Sequence, residues 1–311
     1  MLFFPYKLDI ALFRLPLLTI LACLICIATF ASQVRSSAAF DRNMTAFCGS
    51  FGDVNLRAML DNIDDATLGK GCESIFTGLR QSADRDRKIA QLAQEVRGLD
   101  FYRDRSRDLS YKEDSLRGGL ADFEAFVPKE LTDSLAYRPD RYDVVTMVTS
   151  TFAHASFSHL FGNLVFFYIF ASCVESALGG LHFIGAFLLM AVVTSLAYSH
   201  SVAAADALPA VGLSGVAMGM MALLTTMLPK ARIWCFFWFL LFVRRFTLPV
   251  LVIAAWQIGW NLYELNHHDA ASHINYIAHV SGAATGVALG IAYRLFASQR
   301  LETLEMGMGV T

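Results

Sequence analysis

The chain has 311 residues, of which 55% are hydrophobic and 17% charged, with a mean hydropathy of +0.47. A soluble domain carries about 25% charge, so this composition excludes an ordinary soluble globule and points to a membrane protein. A net charge of −2 argues against a nucleic-acid partner, which calls for a basic surface. Charge crowds into 33–143, and the remainder reads as apolar runs about as long as a bilayer-spanning helix needs.

Lys7 and Arg14 precede a first apolar run, 15–31. Such a run is either a transmembrane helix or the apolar core of a signal peptide followed by the small residues Ala31 and Ser32. We read 1–32 as a cytoplasmic end and a retained first helix. Residues 33–143 are polar and mixed in sign, and form an extracytoplasmic, partly helical segment. In it Ile89, Leu92, Val96 and Leu99 recur at spacings of 3, 4 and 3, the apolar face of an amphipathic helix. Cys48 and Cys72 also fall here and can form a disulfide if the segment faces an oxidising compartment. Cys23, Cys26, Cys173 and Cys235 lie in apolar or aromatic surroundings and read as buried small residues.

Five further apolar runs follow, at 157–178, 181–199, 211–228, 246–263 and 276–296, with turn signals such as Gly179-Gly180 and Pro209 between them. The run 233–243 has only 11 residues, about 16 Å of helix at 1.5 Å per residue. It is too short to span and is expected to lie in the interface or re-enter, its two tryptophans suiting an interfacial belt. The expected fold is an all-α polytopic membrane protein of six transmembrane helices. A long extramembrane segment separates helices 1 and 2, the core occupies 144–297, and 298–311 form a tail.

Lysine and arginine flank the first run, recur at Lys230, Arg232, Arg244 and Arg245, and follow the last run at Arg294 and Arg300. Segments 200–210 and 264–275 contain neither. The positive-inside rule then puts both termini in the cytoplasm and 33–143, 200–210 and 264–275 outside.

Polar side chains inside membrane helices are costly and usually mark function. His159 and Asn163, four apart, share one face of the second helix, where they either act or simply bond helices together. Gly212-Leu-Ser214-Gly215 opens the fourth helix, where free backbone N–H groups favour developing negative charge. On the sixth helix His279 is followed on the same face by Gly282, Gly286 and Gly290. That glycine ladder allows close approach to Gly215, Gly219 and Ala222 of the fourth helix, which would bring His279 to Ser214. Glu175, near the other end of the second helix, reads as structural. The cluster His267-His268-Asp269 with His273 is better explained as an exposed polar loop than as a metal site, and no metal is expected.

Taken in order, His159-x-x-x-Asn163, Gly212-x-Ser214-Gly215 and Ala278-His279-x-x-Gly282-x-x-x-Gly286 resemble the signature of the rhomboid family of intramembrane serine proteases, bacterial type. The resemblance covers about 145–297, and His154 and Glu175 resemble supporting positions. It implies a serine endopeptidase that cleaves single-pass transmembrane substrates with a dyad of Ser214 and His279 and no cofactor. His159, Asn163 and the Ser214 N–H would hold the oxyanion, with Gly212 shaping the loop. The family dyad has no acidic third member, and the sequence offers no intramembrane Asp near the site. Many bacterial members have a tyrosine stacking on the histidine one turn after the serine; Met218 stands there. A Trp-Arg pair of the first external loop is also absent, the stretch reading Tyr142-Asp-Val-Val-Thr-Met-Val. Trp256 and Trp260 share a face of the fifth helix, either at the substrate gate that the family places there or packed against lipid or core. The implied location is the cell inner (plasma) membrane, with the site opening to the extracytoplasmic side. The rival expectation is an inactive rhomboid-like protein that binds or chaperones membrane helices.

Overall fold

The computed structural model describes residues 2–8, 15–49, 52–63, 71–82, 84–96, 98–202, 208–239, 242–267 and 274–296. In chain order the elements are β1 (Leu2–Leu8), α1 (Leu17–Gly49), α2 (Val54–Asp61), α3 (Cys72–Gln81), α4 (Arg85–Glu95), α5 (Arg105–Phe126), α6 (Leu131–Leu135) and α7 (Val144–Thr149). A 3-10 turn (Ser150–Phe152), α8 (Phe157–Leu178), α9 (Gly180–Ser201), α10 (Ser214–Met227), β2 (Arg232–Phe239), β3 (Phe242–Pro249), α11 (Val250–His267) and α12 (Tyr276–Phe296) follow. They form two compact units: Val34–Leu131, and Met1–Gln33 together with Thr132–Thr311.

The Val34–Leu131 unit is helical and polar outside. Aspartates start three of its helices, α2, α4 and α5: Asp53 accepts from the N–H groups of Asn55 and Leu56, Asp84 from that of Arg87, and Asp104 from that of Arg107, relieving donors that a helix start leaves unpaired. Its core gathers Met59, Ile75, Phe76, Leu92, Leu116 and Phe123, all fully buried. A disulfide joins Cys48 to Cys72, with their Cα atoms 5.8 Å apart. The apolar face predicted through Leu99 is shorter as a helix, because α4 stops at Glu95. Val96 and Leu99 still pack on the core from the connection that follows, where Gly98 takes a φ of +71°.

One charged pair is buried in this unit. Asp108 meets Lys112 at 2.7 Å and accepts from the backbone N–H of Phe101 at 2.6 Å and of Tyr102 at 3.1 Å. Burial pulls the Asp108 carboxyl upward, yet the Lys112 hydrogen bond and the two N–H donors outweigh it and hold the group below its ordinary value.

In the other unit, α1, α8, α9 and α12 are long and apolar enough to cross a membrane, and the protein is a mostly helical, multi-pass membrane protein. α10 is different. Its 14 residues span about 21 Å at 1.5 Å per residue, less than the ~30 Å hydrocarbon core. Nearly every side chain from Gly215 to Met227 is buried, so α10 is enclosed by other helices and Ser214 begins it inside the bundle.

The tightest helix pair is α10 with α12. A methyl group on Gly282 would strike the carbonyl of Gly215, and one on Gly286 the carbonyl of Gly219. One on Gly290 would lie 2.5 Å from Thr226. The two backbones touch, and only glycine permits it. At another point of this unit the buried Glu175 carboxylate accepts from Leu18 N–H (3.0 Å), Thr19 N–H (2.8 Å) and the Thr19 hydroxyl (2.7 Å). It thereby caps the positive N-terminus of α1.

The structure corrects three expectations. The fold is not all-α: β1, β2 and β3 form an antiparallel sheet in that order. Of the 233–243 run, expected to lie in the interface or re-enter, the described residues 233–239 and 242–243 belong to strands β2 and β3, and 246–249 extend β3 so that the helix begins only at Val250. A short continuous apolar run does not reveal its period, and this one is dense in aromatic and β-branched residues that suit a strand. Finally, the first helix does not stop near Ala31; α1 continues to Gly49.

Gly286→Val is expected to lower stability by at least about 1–3 kcal/mol, because the clash is with backbone, whereas Ala284→Val on the exposed side of α12 leaves it unchanged; thermal unfolding in detergent measures both. In the Val34–Leu131 unit, Asp108→Asn should reduce hydrogen-exchange protection of α5 in the full-length protein by the equivalent of about 1–3 kcal/mol. The lowered Asp108 pKa makes this stabilisation fully present above the ordinary carboxylate value and lost as pH falls through the native one, so the wild-type protein should lose that protection on acidification and the variant should show a flatter response.

Candidate active site

The glycine contact brings two reactive side chains together. Asn275 accepts from the Ala278 N–H at 3.0 Å and starts α12, placing His279 in its first turn. Ser214 is the first residue of α10, after Leu213, which supplies no side-chain cap. His279 Nε2 lies 2.8 Å from Ser214 Oγ, although 65 residues separate them in sequence. A neutral imidazole at this distance can take the hydroxyl proton and so make the oxygen nucleophilic.

Gly212 has a φ of +127°, which an L side chain rarely adopts, and its N–H donates to the Ser150 carbonyl at 2.9 Å. A Cβ there would meet His159 Cε1 at 2.7 Å, His159 Nε2 at 2.9 Å and Asn163 Nδ2 at 3.5 Å. Glycine therefore allows the loop before Ser214 to lie against both polar side chains of α8. Asn163 is buried, and its Nδ2 has no hydrogen-bond partner among the described residues. An unpaired buried amide donor costs stability, and here it faces the loop beside Ser214.

His154 precedes α8 and is buried. The buried Gln33 amide fixes its backbone, accepting from the His154 N–H at 3.0 Å and donating to the His154 carbonyl at 3.3 Å. Its ring meets that of His159 edge-on, with centroids 5.3 Å apart. Burial first, and then the neighbouring His159, push the His154 pKa down to about 4, which keeps it neutral in the physiological range. Beside Ser214 lies a cavity of about 40 Å³ whose lining includes Ser150, Thr151, Thr194, Ser195 and Asn275.

Of the residues singled out from the sequence, Ser214, His279, Gly212, His159, Asn163 and His154 are thus gathered into one neighbourhood. Met218 is buried one turn into α10, and Gly282 and Gly286 hold the helix pair. Glu175 belongs to the α1 cap instead. Trp256 and Trp260 stack on each other with centroids 6.2 Å apart and point outward, 69% and 50% exposed, consistent with a lipid-facing position. His268, Asp269 and His273 of the polar loop lie outside the described residues.

One residue of this neighbourhood escaped the sequence reading. Asn261 of α11 is buried, and its Oδ1 lies 2.6 Å from His279 Nδ1. An amide in the apolar run 246–263 was a legible signal, but its neighbour Trp260 drew the interpretation of that helix. The structure also places the Tyr276 ring edge-on to His279, with centroids 6.3 Å apart.

Comparison with known proteins adds a family to this geometry. The family model described as the rhomboid domain matches residues 141–296, half of the chain. Rhomboid-like protein 11, chloroplastic, of Arabidopsis thaliana is 31% identical over 142 residues, covering 46% of this chain and 50% of the relative. Presenilin-associated rhomboid-like protein, mitochondrial, of Bos taurus is 27% identical over 151 residues, covering 45% and 36%. Presenilin-associated rhomboid-like protein A, mitochondrial, of Danio rerio is 30% identical over 149 residues, covering 45% and 35%. The chain spans half or less of the length of these relatives. The matched region contains both members of the Ser214–His279 pair and the whole α8–α12 bundle, and this chain belongs to the rhomboid family.

Proposed function

We propose that the protein is an intramembrane serine endopeptidase of rhomboid type that cleaves single-pass transmembrane substrates. The observation that carries this reading is the 2.8 Å contact between Ser214 Oγ and His279 Nε2 at the start of a buried helix. In the proposed reaction Ser214 Oγ attacks the scissile carbonyl while His279 Nε2 removes its proton. The charge that develops on the carbonyl oxygen is held by the Asn163 amide, His159 and the Ser214 backbone N–H, donors that are worth most in a water-poor site. The imidazolium then protonates the leaving amine, and the acyl bond to Ser214 is hydrolysed by a water that His279 deprotonates in turn. The cavity of about 40 Å³ beside Ser214 supports this step, being large enough to hold a water.

The reading includes a six-crossing arrangement in which α10 and α11 join the four long spans. It puts both termini in the cytoplasm of a cell whose inner (plasma) membrane holds the protein, with the site opening to the extracytoplasmic side. The distribution of lysine and arginine supports that orientation, and the Cys48–Cys72 disulfide supports an oxidising environment for the segment that carries it. The relatives are named as chloroplastic and mitochondrial proteins, so fractionation is the direct check of location.

Ser214→Ala and His279→Ala are each expected to reduce cleavage of a membrane-spanning reporter to background and to abolish labelling by a fluorophosphonate probe. Asn163→Ala should lower kcat by about 10²–10³ with a smaller change in KM. Cleavage retained in the Ser214→Ala protein would overturn the proposal. Wild-type protein that neither cleaves nor labels would favour a non-catalytic role in binding membrane helices.

A further inference from the structure

The contact between His279 and Asn261 extends this reading, and the inference rests on the Ser214–His279 chemistry proposed above. α11 is apolar over most of its length, and Asn261 is its buried polar side chain. Asn261 Nδ2 donates to the Gln257 carbonyl one turn earlier at 2.7 Å. That bond decides which way the amide faces. If the amide were turned over, Oδ1 would confront the Gln257 carbonyl, acceptor against acceptor, and the contact would be repulsive. The amide oxygen therefore faces His279 at 2.6 Å and requires a donor there. In a neutral imidazole only one ring nitrogen carries a proton, so the proton is on Nδ1 and the lone pair is on Nε2. Nε2 is the atom that faces Ser214 Oγ at 2.8 Å.

We infer that Asn261 is a positioning residue that holds His279 in the Nδ1–H tautomer and in the plane that directs its Nε2 lone pair at Ser214. The chain of contacts runs Gln257 carbonyl, Asn261 amide, His279 imidazole, Ser214 hydroxyl, and every polar atom in it has one allowed role. The arrangement also suits the moment after proton transfer. The imidazolium keeps Nδ1–H bonded to a neutral oxygen dipole, so no second charge has to be kept inside the membrane bundle. Among the described residues the other ionisable side chains facing His279 are His159 and Tyr276, and neither accepts from Nδ1.

The test compares Asn261→Leu, which removes the acceptor while keeping the branched shape, with Asn261→Asp, which keeps the acceptor and adds charge. Asn261→Leu is expected to lower kcat by about 10² or more, since a histidine in the wrong tautomer loses most of its catalysis, with KM little changed. Asn261→Asp should recover most of that loss, and the acid limb of its kcat/KM profile should move to higher pH, because a neighbouring carboxylate favours the imidazolium and His279 acts only when neutral. Equal losses in both variants, or a loss confined to stability with no movement of the acid limb, would overturn the inference. Imidazole ¹⁵N NMR of the full-length protein in detergent micelles supplies a readout that does not need activity. The His279 resonances, assigned by their absence in His279→Gln, should show Nδ1 protonated in the wild type and a shift towards Nε2 protonation in Asn261→Leu. An Nε2-protonated wild type would overturn the inference even if cleavage is found. An Nδ1-protonated ring that responds to Asn261→Leu in a protein without Ser214-dependent cleavage would uphold it while defeating the protease reading.

Discussion

The backbone contact between α10 and α12 is the constraint on which the rest of the structure depends. Two helices normally pack with axes about 8–10 Å apart, separated by their side chains. Here Gly282 and Gly286 lie directly against the carbonyls of Gly215 and Gly219, so the separation is set by main chain alone. Hydrophobic burial gives little drive for association inside a bilayer, where lipid is as apolar as leucine. Close packing and polar contacts must do that work, and the glycine seam supplies the first. The second follows from it, because the seam starts one residue after Ser214 and three after His279 and leaves those side chains no room to avoid each other.

A second constraint is electrostatic. A charge isolated among membrane helices is expensive, and the two polar clusters of the bundle meet that cost differently. Glu175 satisfies its carboxylate with three donors at the start of α1, one of them a hydroxyl, so the helix's own partial positive charge faces it. Among the described residues the Ser214 neighbourhood contains no carboxylate contact. Its members are hydroxyl, imidazole and amide groups, all of which can be neutral, and charge would appear there only in passing during a reaction. The unpartnered Asn163 amide fits the same logic: a donor left free in the resting state is one that need not release another bond before it meets an oxyanion.

Much of this was legible in the sequence, and what was not has physical reasons. The long apolar runs at 157–178, 181–199 and 276–296 coincide closely with α8, α9 and α12, because sustained hydropathy in a membrane protein leaves the backbone few options besides a helix. His159, Asn163, Ser214 and His279 stood out because each is polar where polarity is costly. The sheet did not stand out. An eleven-residue apolar stretch carries no period, and its partner β1 is a seven-residue strand whose pairing with β2 spans over two hundred residues of chain. The end of α1 was equally hidden, since the apolar run stops near residue 31 while the helix continues into the polar sequence to Gly49. Asn261 was missed for another reason. Its significance depends on a partner 18 residues away on a different helix, and no spacing rule within one helix reveals that.

Asn261 also bears on the absence of a tyrosine at the position of Met218. A ring stacked on an imidazole restrains the tilt of its plane but leaves rotation within that plane free, and it has no preference between tautomers. A hydrogen bond to Nδ1 restrains both. With Met218 buried in α10 and Tyr276 touching His279 only edge-on, the Asn261 amide is the contact that determines which nitrogen faces the serine. Its location matters as well. Met218 shares a helix with Ser214, so a stacking residue there would tie the imidazole to the helix that Ser214 begins. Asn261 ties it instead to α11, the helix that also carries the outward Trp256 and Trp260. A displacement of α11 away from α12 would then lengthen the 2.6 Å bond at Nδ1 and release the constraint on the ring. On the proposed reading, the ring that faces Ser214 is in this way tied to the position of α11.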